Sequence, residues 1–434
     1  MRRTGLAGVV VVVAGIAGQV VAQDRPLSAD FAEVYRVGGV NAPDWAFFTG
    51  RSPTGFDAAG NLHVLDMQYP QVVIIDPRGR LVRTVGRGGE AAGEFDAAAD
   101  IFVWRDGRFV VMDRGQNAYQ VFGPEGELEH YVSRGGGTGL FTSFSNERAR
   151  MRPDPAGGAL IAQGMPSFMG DVLSGVFEQM AELTGQSVET PEPGVDDRGL
   201  ERLDLTGDVV SATPILRTWR VPRLEAQEEL SIEDLADPST LAGIMNLVRY
   251  FEPFMSWDVL PDGTLAYSDS TAYAIKLAQP SGQVIGVLRR PIQAEVVTDR
   301  IRQATIDNEL RELEEGMASA ESETAALAGI FAETIDDQRR LVEERGFYPE
   351  IQVVRGVEAT WGGALWIQRR GEDPWDDSGP IDVFGANREY VGTFAEGETE
   401  MPAAFGPGGL VVFWEFDELD VPTIVVKRLP EEVR

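Results

Sequence analysis

The sequence predicts an all-β fold: a six-bladed β-propeller with helical insertions, its ring closed by the N-terminal strand. Three observations predict it. One stretch repeats with a period of 47 residues, a Gly-x-[Leu/Phe] signature recurs six times, and the last unit lacks a strand that the first residues after a leader can supply. The repeat emerges when Gly60–Asp66 with Val72–Gly79 is laid over Gly107–Asp113 with Tyr119–Gly126. Each copy runs through a turn glycine, a short strand, an Asp, a loop, a second strand, a Pro-x-Gly turn and a third strand. A period in the forties built from strands and tight turns is propeller spacing.

From the start of the chain, Arg2 and Arg3 precede an apolar run from Leu6 to Val21, and Val20-Val21-Ala22 offers small residues for cleavage. Residues 1–22 therefore read as an export signal and 23–434 as the propeller. A retained anchor is the competing reading, because the run matches the shortest spanning helices. Phe31–Val37 reads as a strand. The signature then falls at Gly60, Gly107, Gly158, Gly263, Gly363 and Gly408, with spacings of 47, 51, 105, 100 and 45. The two long intervals each require a blade plus an insertion. Helical insertions are expected at about 164–199, 229–252 and 294–348, with helices over Asp171–Leu183 and from Ser231, a candidate N-cap. Asp106-Gly107 and Asp262-Gly263 are hairpin dipeptides whose two central positions are expected at positive φ. The last unit has Leu410–Trp414 and Ile424–Lys427 and then stops. Pairing with Phe31–Val37 would close the ring and remove the exposed edge.

Composition narrows function. Against 38 Lys+Arg stand 69 Asp+Glu, giving a net charge of −31 over 434 residues, with two His and no Cys. Phosphate neutralisation needs clustered cations, so nucleic acid and anionic membrane surfaces are poor partners. No stable membrane insertion is expected once the signal is removed. Without Cys there is no disulfide, thiolate nucleophile or thiolate metal site. The 294–345 stretch holds 14 acids and six bases, and reads as a solvated helical pair or a partner-docking element. The expected location is periplasmic or extracellular.

On these residues the chain resembles six-bladed propellers of the NHL-repeat type, in an exported bacterial group. Asp66–Asp76 and Asp113–Phe122 resemble that family's strand–Asp–loop–strand core. Gly86–Phe95 resembles its glycine-rich connector, with a looser copy at Gly135–Phe141. Pro291–Glu315 ahead of Gly363-Ala364-Leu365 is similar to a helical excursion before a fifth blade. Blades three and six depart, with Gln163 where the Asp is expected and Pro422 interrupting the last blade. The resemblance implies a fold and a channel rather than an activity. Zinc-dependent amidoglycolate lyases of this kind need several channel histidines, which His63 and His130 cannot supply. Calcium-holding lactonases use Glu, Asn and Asp, so calcium is the one cofactor the acidic channel admits; none is expected.

Two sets of residues invite a functional reading. Asp66, Asp113 and Asp269 recur at one blade position, either as a ring of calcium ligands or as caps of the loops that follow them. The aromatics Phe56, Trp104, Trp257, Trp361 and Phe405 fall near inner strands, where they either stack on a ligand or pack between blades. Arg105 and Asp258 flank two of the Trp residues. The candidate ligand-binding set is thus Trp104, Arg105, Trp257, Asp258 and Trp361, with no catalytic residue and no metal ligand assigned. The expected protein is an exported binder or scaffold recognising a protein, peptide or glycan. The alternative is a calcium-dependent hydrolase or lyase in the channel, and a third reading docks the acidic insertion into an envelope assembly.

Overall fold

A computed structural model describes residues 24–135, 150–164, 199–219, 249–321 and 339–434. The signal, the Asp171–Leu183 helix, nearly all of the 229–252 insertion and most of the looser glycine connector fall outside these residues. The described chain forms six four-stranded antiparallel blades. Blade one comprises Thr54–Phe56, Leu62–Asp66, Gln71–Ile75 and Leu81–Val85. Blade two comprises Ala98–Val103, Phe109–Asp113, Ala118–Phe122 and Leu128–Ser133. Blade three comprises Arg150–Pro153, Ala159–Gln163, Leu200–Asp204 and Ser211–Leu216. Blade four comprises Ser256–Val259, Leu265–Ser268, Ala274–Ala278 and Val284–Arg289. Blade five comprises Val354–Ala359, Leu365–Arg369, Ile381–Phe384 and Tyr390–Phe394. Blade six comprises Ala404–Phe405, Leu410–Phe416 and Pro422–Arg428, and takes its outer strand from Ala32–Gly38.

The hydrophobic pattern explains this arrangement. The middle strands of each blade face a neighbour on both sides, so Gln71–Ile75 and Phe109–Asp113 are apolar almost throughout and buried. Outer strands such as Leu81–Val85 are mostly exposed. Successive side chains point to opposite faces of a strand. Phe109 and Val111 therefore pack toward blade one, while Val110 and Met112 pack toward blade three. Six apolar clusters result, one at each seam between adjacent blades. The core is a ring of seams around a channel rather than a single centre.

The closing strand pairs antiparallel with Pro422–Arg428 from Ala32↔Arg428 to Gly38↔Thr423, as the sequence predicts. Two expectations need correction. Pro422 does not interrupt blade six: it is the first residue of its strand, where a missing N–H is tolerated, and its carbonyl accepts Gly39 N–H at 3.1 Å. The Asp-Gly turns also differ. Only Gly107 (φ 92°) and Gly263 (φ 83°) take positive φ. In the first, Gly107 N–H bonds Trp104 O, and Asp106 caps Arg108 N–H. This is the longer hairpin that ends in a left-handed glycine.

Antiparallel blades give the disc two different faces. Turns joining first to second strands lie on one face. Loops joining second to third strands, and the connections between blades, lie on the other. The segments 165–198, 217–255 and 290–353 interrupt blade three between its second and third strands and precede blades four and five. All three attach to this second face. The last contains a two-stranded ribbon (Glu295–Val296 with Glu350–Ile351) and helix α1, Asp299–Glu321. Ile301 of α1 is buried with Val297 and Ile351, against Phe251 and Phe347.

Candidate functional site

The inner strands of all six blades line a cavity of about 300 Å³ at the channel end framed by the first-to-second-strand turns. Of the sequence-predicted residues, Trp104, Arg105, Asp258 and Trp361 border it, whereas Trp257 does not. Trp257 is fully buried in the seam between blades three and four, its indole N–H donating to Gln163 Oε1 at 2.8 Å. Gln163, the departure from the Asp pattern, thus ties two blades together. Trp104 is also a seam residue, with its N–H on Ala159 O at 3.0 Å, and it meets the cavity only at its edge.

Arg105 and Trp361 meet at the mouth. Arg105 occupies the turn of blade two, where its carbonyl is fixed by Ala58 N–H at 2.9 Å. Its guanidinium crosses to blade five, three blades round the ring, and lies 4.6 Å from the centroid of the Trp361 ring. The contact spans the channel.

Below it lies a charged floor of which the sequence reading named only Asp258. Arg150 Nη2 bonds Glu358 Oε1 at 2.6 Å, and Arg152 bonds both oxygens of Glu358 at 3.1 and 3.0 Å. Arg152 Nε also bonds Asp258 Oδ1 at 3.1 Å. Asp258 further accepts the backbone N–H groups of Val259 and Ala359, both at 2.7 Å. Blades three, four and five are thereby linked across the channel. Their protein surroundings set the titration. Burial pushes the Asp258 carboxyl up to about 6, against the pull of Arg152 and with repulsion from Glu358. Burial acts on Glu358 too, but Arg150 and Arg152 hold it below its ordinary value. Asp100, deeper along blade two's inner strand, is raised by burial. The available signal was alternation: Arg150 and Arg152 place charge at every second position of an inner strand, so both point the same way.

Two of the recurrent aspartates, Asp66 and Asp113, cap the loops that follow them. Asp66 accepts Gln68 and Tyr69 N–H, both at 3.1 Å. Asp113 accepts Asp96, Ala97 and Gln116 N–H. Asp269 accepts Trp219 N–H and pairs with Lys276. Among the described residues, no three His, Cys, Asp or Glu side chains come together as a metal site. His63 is buried in blade one, and exposed His130 lies on blade two's outer strand. The glycine-rich connector packs as a connector: Gly86 (φ 81°) leaves room for the Phe95 ring, which any Cβ there would strike.

No protein-family model and no curated protein matches the chain. Solved structures do. A Bacteroides fragilis protein described as exported is 10% identical, with a TM-score of 0.49 over 94% of this chain and 98% of its own. Virginiamycin B lyase from Staphylococcus aureus is 10% identical, with a TM-score of 0.38 over 91% and 99%. The calcium-binding protein regucalcin from Agrobacterium tumefaciens is 12% identical, with a TM-score of 0.36 over 92% and 96%. Likenesses this distant say nothing about chemistry in the channel. No helix among the described residues is long and apolar enough to cross a membrane.

Proposed function

We propose that this is an exported propeller of the NHL type that binds the end of a peptide or glycan in its channel mouth without converting it. The observation that carries the reading is the cavity between the Arg105–Trp361 contact and the Arg150–Arg152–Asp258–Glu358 floor. Its volume falls at the small end of ligand pockets, it mixes apolar walls with a few polar groups, and the floor's charges neutralise one another. The test is calorimetric titration of the purified protein with end-blocked tripeptides and neutral oligosaccharides. Binding to at least one of them, lost in Trp361→Ala while the melting temperature holds, supports the reading. Binding unchanged in Trp361→Ala moves the site elsewhere.

A channel enzyme is the second reading, because two carboxyls with oppositely displaced pKa values are what acid–base chemistry uses. Its calcium-dependent form asks a cation to take Asp258 and Glu358 from two guanidinium groups. Melting with calcium and with chelator separates the two readings. Equal melting temperatures are expected; stabilisation by calcium would favour the enzyme.

A further inference from the structure

We infer that the channel mouth is built for a ligand with an apolar body and one carboxylate, which Arg105 grips by leaving the face of Trp361. This rests on the channel-mouth reading above and names the ligand's chemistry.

The first argument is charge pairing. Two guanidinium groups border the cavity, those of Arg105 and Arg152, and Arg150 joins Arg152 on Glu358. Arg150 and Arg152 are tied to Glu358 and Asp258. Among the described residues Arg105 has no carboxylate partner, and it rests on an aromatic face. In a chain of net charge −31, an arginine kept out of ion pairs at a cavity mouth runs against composition. A guanidinium over an indole is held weakly and reversibly. A carboxylate offers it two parallel charge-assisted bonds in the geometry that its planar fork matches.

The second argument is the wall. Pro53, Phe56, Pro261, Pro402 and Phe405 border the cavity. Prolines offer no backbone N–H, and these side chains offer neither donor nor acceptor. They give an aliphatic or aromatic body a matching surface, beside polar lining residues such as Thr54, Asp100 and Thr360.

The third argument is position. Arg105 sits in a turn whose backbone is anchored by Ala58, so only its side chain must move. The movement uncovers the cavity, and the floor beneath is already neutralised by its own pairs. An incoming anion meets the Arg105 cation at the entrance, while the Asp100 carboxylate, which also borders the cavity, lies deeper along blade two's inner strand.

Carboxylates of this type occur as peptide C-termini and as free carboxylic acids, and the experiment separates the two. The purified protein is titrated with N-acetyl-Leu-Leu and its C-terminal amide, and with hexanoate and hexanol. Roughly tenfold or greater preference for an acid over its neutral partner is expected in at least one pair. Preference confined to the peptide pair identifies a C-terminus; preference confined to hexanoate identifies a free acid. Arg105→Ala should abolish the preference at an unchanged melting temperature, and Arg105→Lys should retain part of it. Equal binding of acid and neutral partner, an acid preference that survives Arg105→Ala, or no binding by any of the four overturns the inference. In the last case the end-blocked peptides and neutral oligosaccharides show separately whether the channel reading stands.

Discussion

Asp258 and Glu358 share Arg152 yet titrate in opposite directions: at Asp258 burial, with repulsion from Glu358, outweighs the pull of Arg152 and Arg150, whereas Glu358, bonded directly to both guanidinium groups, is held down despite burial. The raised Asp258 value has a stability consequence. Below about pH 4 the group is protonated in both folded and unfolded chains. As pH rises toward 6 the unfolded chain ionises first, so this group's contribution falls, by about 1.4 kcal/mol per unit of displacement. Above about 6 the loss is complete. In melts from pH 4 to 7, the wild-type melting temperature should therefore drop relative to Asp258→Asn as pH rises. A constant difference would mean that Asp258 titrates normally. Sequence reasoning reached Arg105, Asp258 and Trp361 because each adjoins a recognisable inner strand. It missed Glu358 because the partners that give it meaning lie 206 and 208 residues away.

At the scale of elements, the strand Ala32–Gly38 was legible, since it had strand composition and the last blade had a vacancy. The segment ahead of it was not. Leu27 N–H bonds Thr393 O at 2.9 Å, and Thr393 N–H bonds Arg25 O at 2.8 Å, adding a short parallel contact to blade five's outer strand. Two hydrogen bonds leave no periodic trace in a sequence. The Asp24 carboxylate completes the dock by bridging Arg290 at 2.7 Å and Arg369 at 2.8 Å, and Arg290 also pairs with buried Asp382. Gly392 makes the approach feasible: a Cβ there would lie 2.7 Å from both Arg25 O and Leu27 Cγ. Gly392→Val should expel residues 24–27, read as faster amide exchange at Leu27 and earlier proteolysis before Phe31. Unchanged protection would mean that the segment docks by its ion pairs alone. Helix α1 was anticipated as acidic, but its buried first turns, at Ile301, Thr305 and Asn308, were not. Ile301 packs with Phe251 and Phe347, which lie about 50 residues away on either side, so no local spacing announces the contact.

For the whole molecule, blade number followed from spacing because each blade must repeat the same turn and strand lengths to fill one-sixth of a ring. Where the insertions attach did not follow from spacing alone; it required assigning each one to a particular connection between strands. The net charge of −31 also acts at this scale. Self-repulsion opposes the compact state and is screened by salt. The melting temperature should therefore rise as ionic strength goes from about 0.01 M to about 0.1 M, where the Debye length shrinks from about 30 Å to about 10 Å. A fall would mean that ion pairs such as Arg152–Glu358 outweigh the net repulsion. The two-faced disc has a final implication. The face at which the three insertions leave and rejoin the blades is the one away from the channel mouth, so the disc has a front and a back. Held by its back against a cell-envelope surface, it would still present the Arg105–Trp361 entrance to whatever diffuses past. Anchorage and capture need not compete for the same ground.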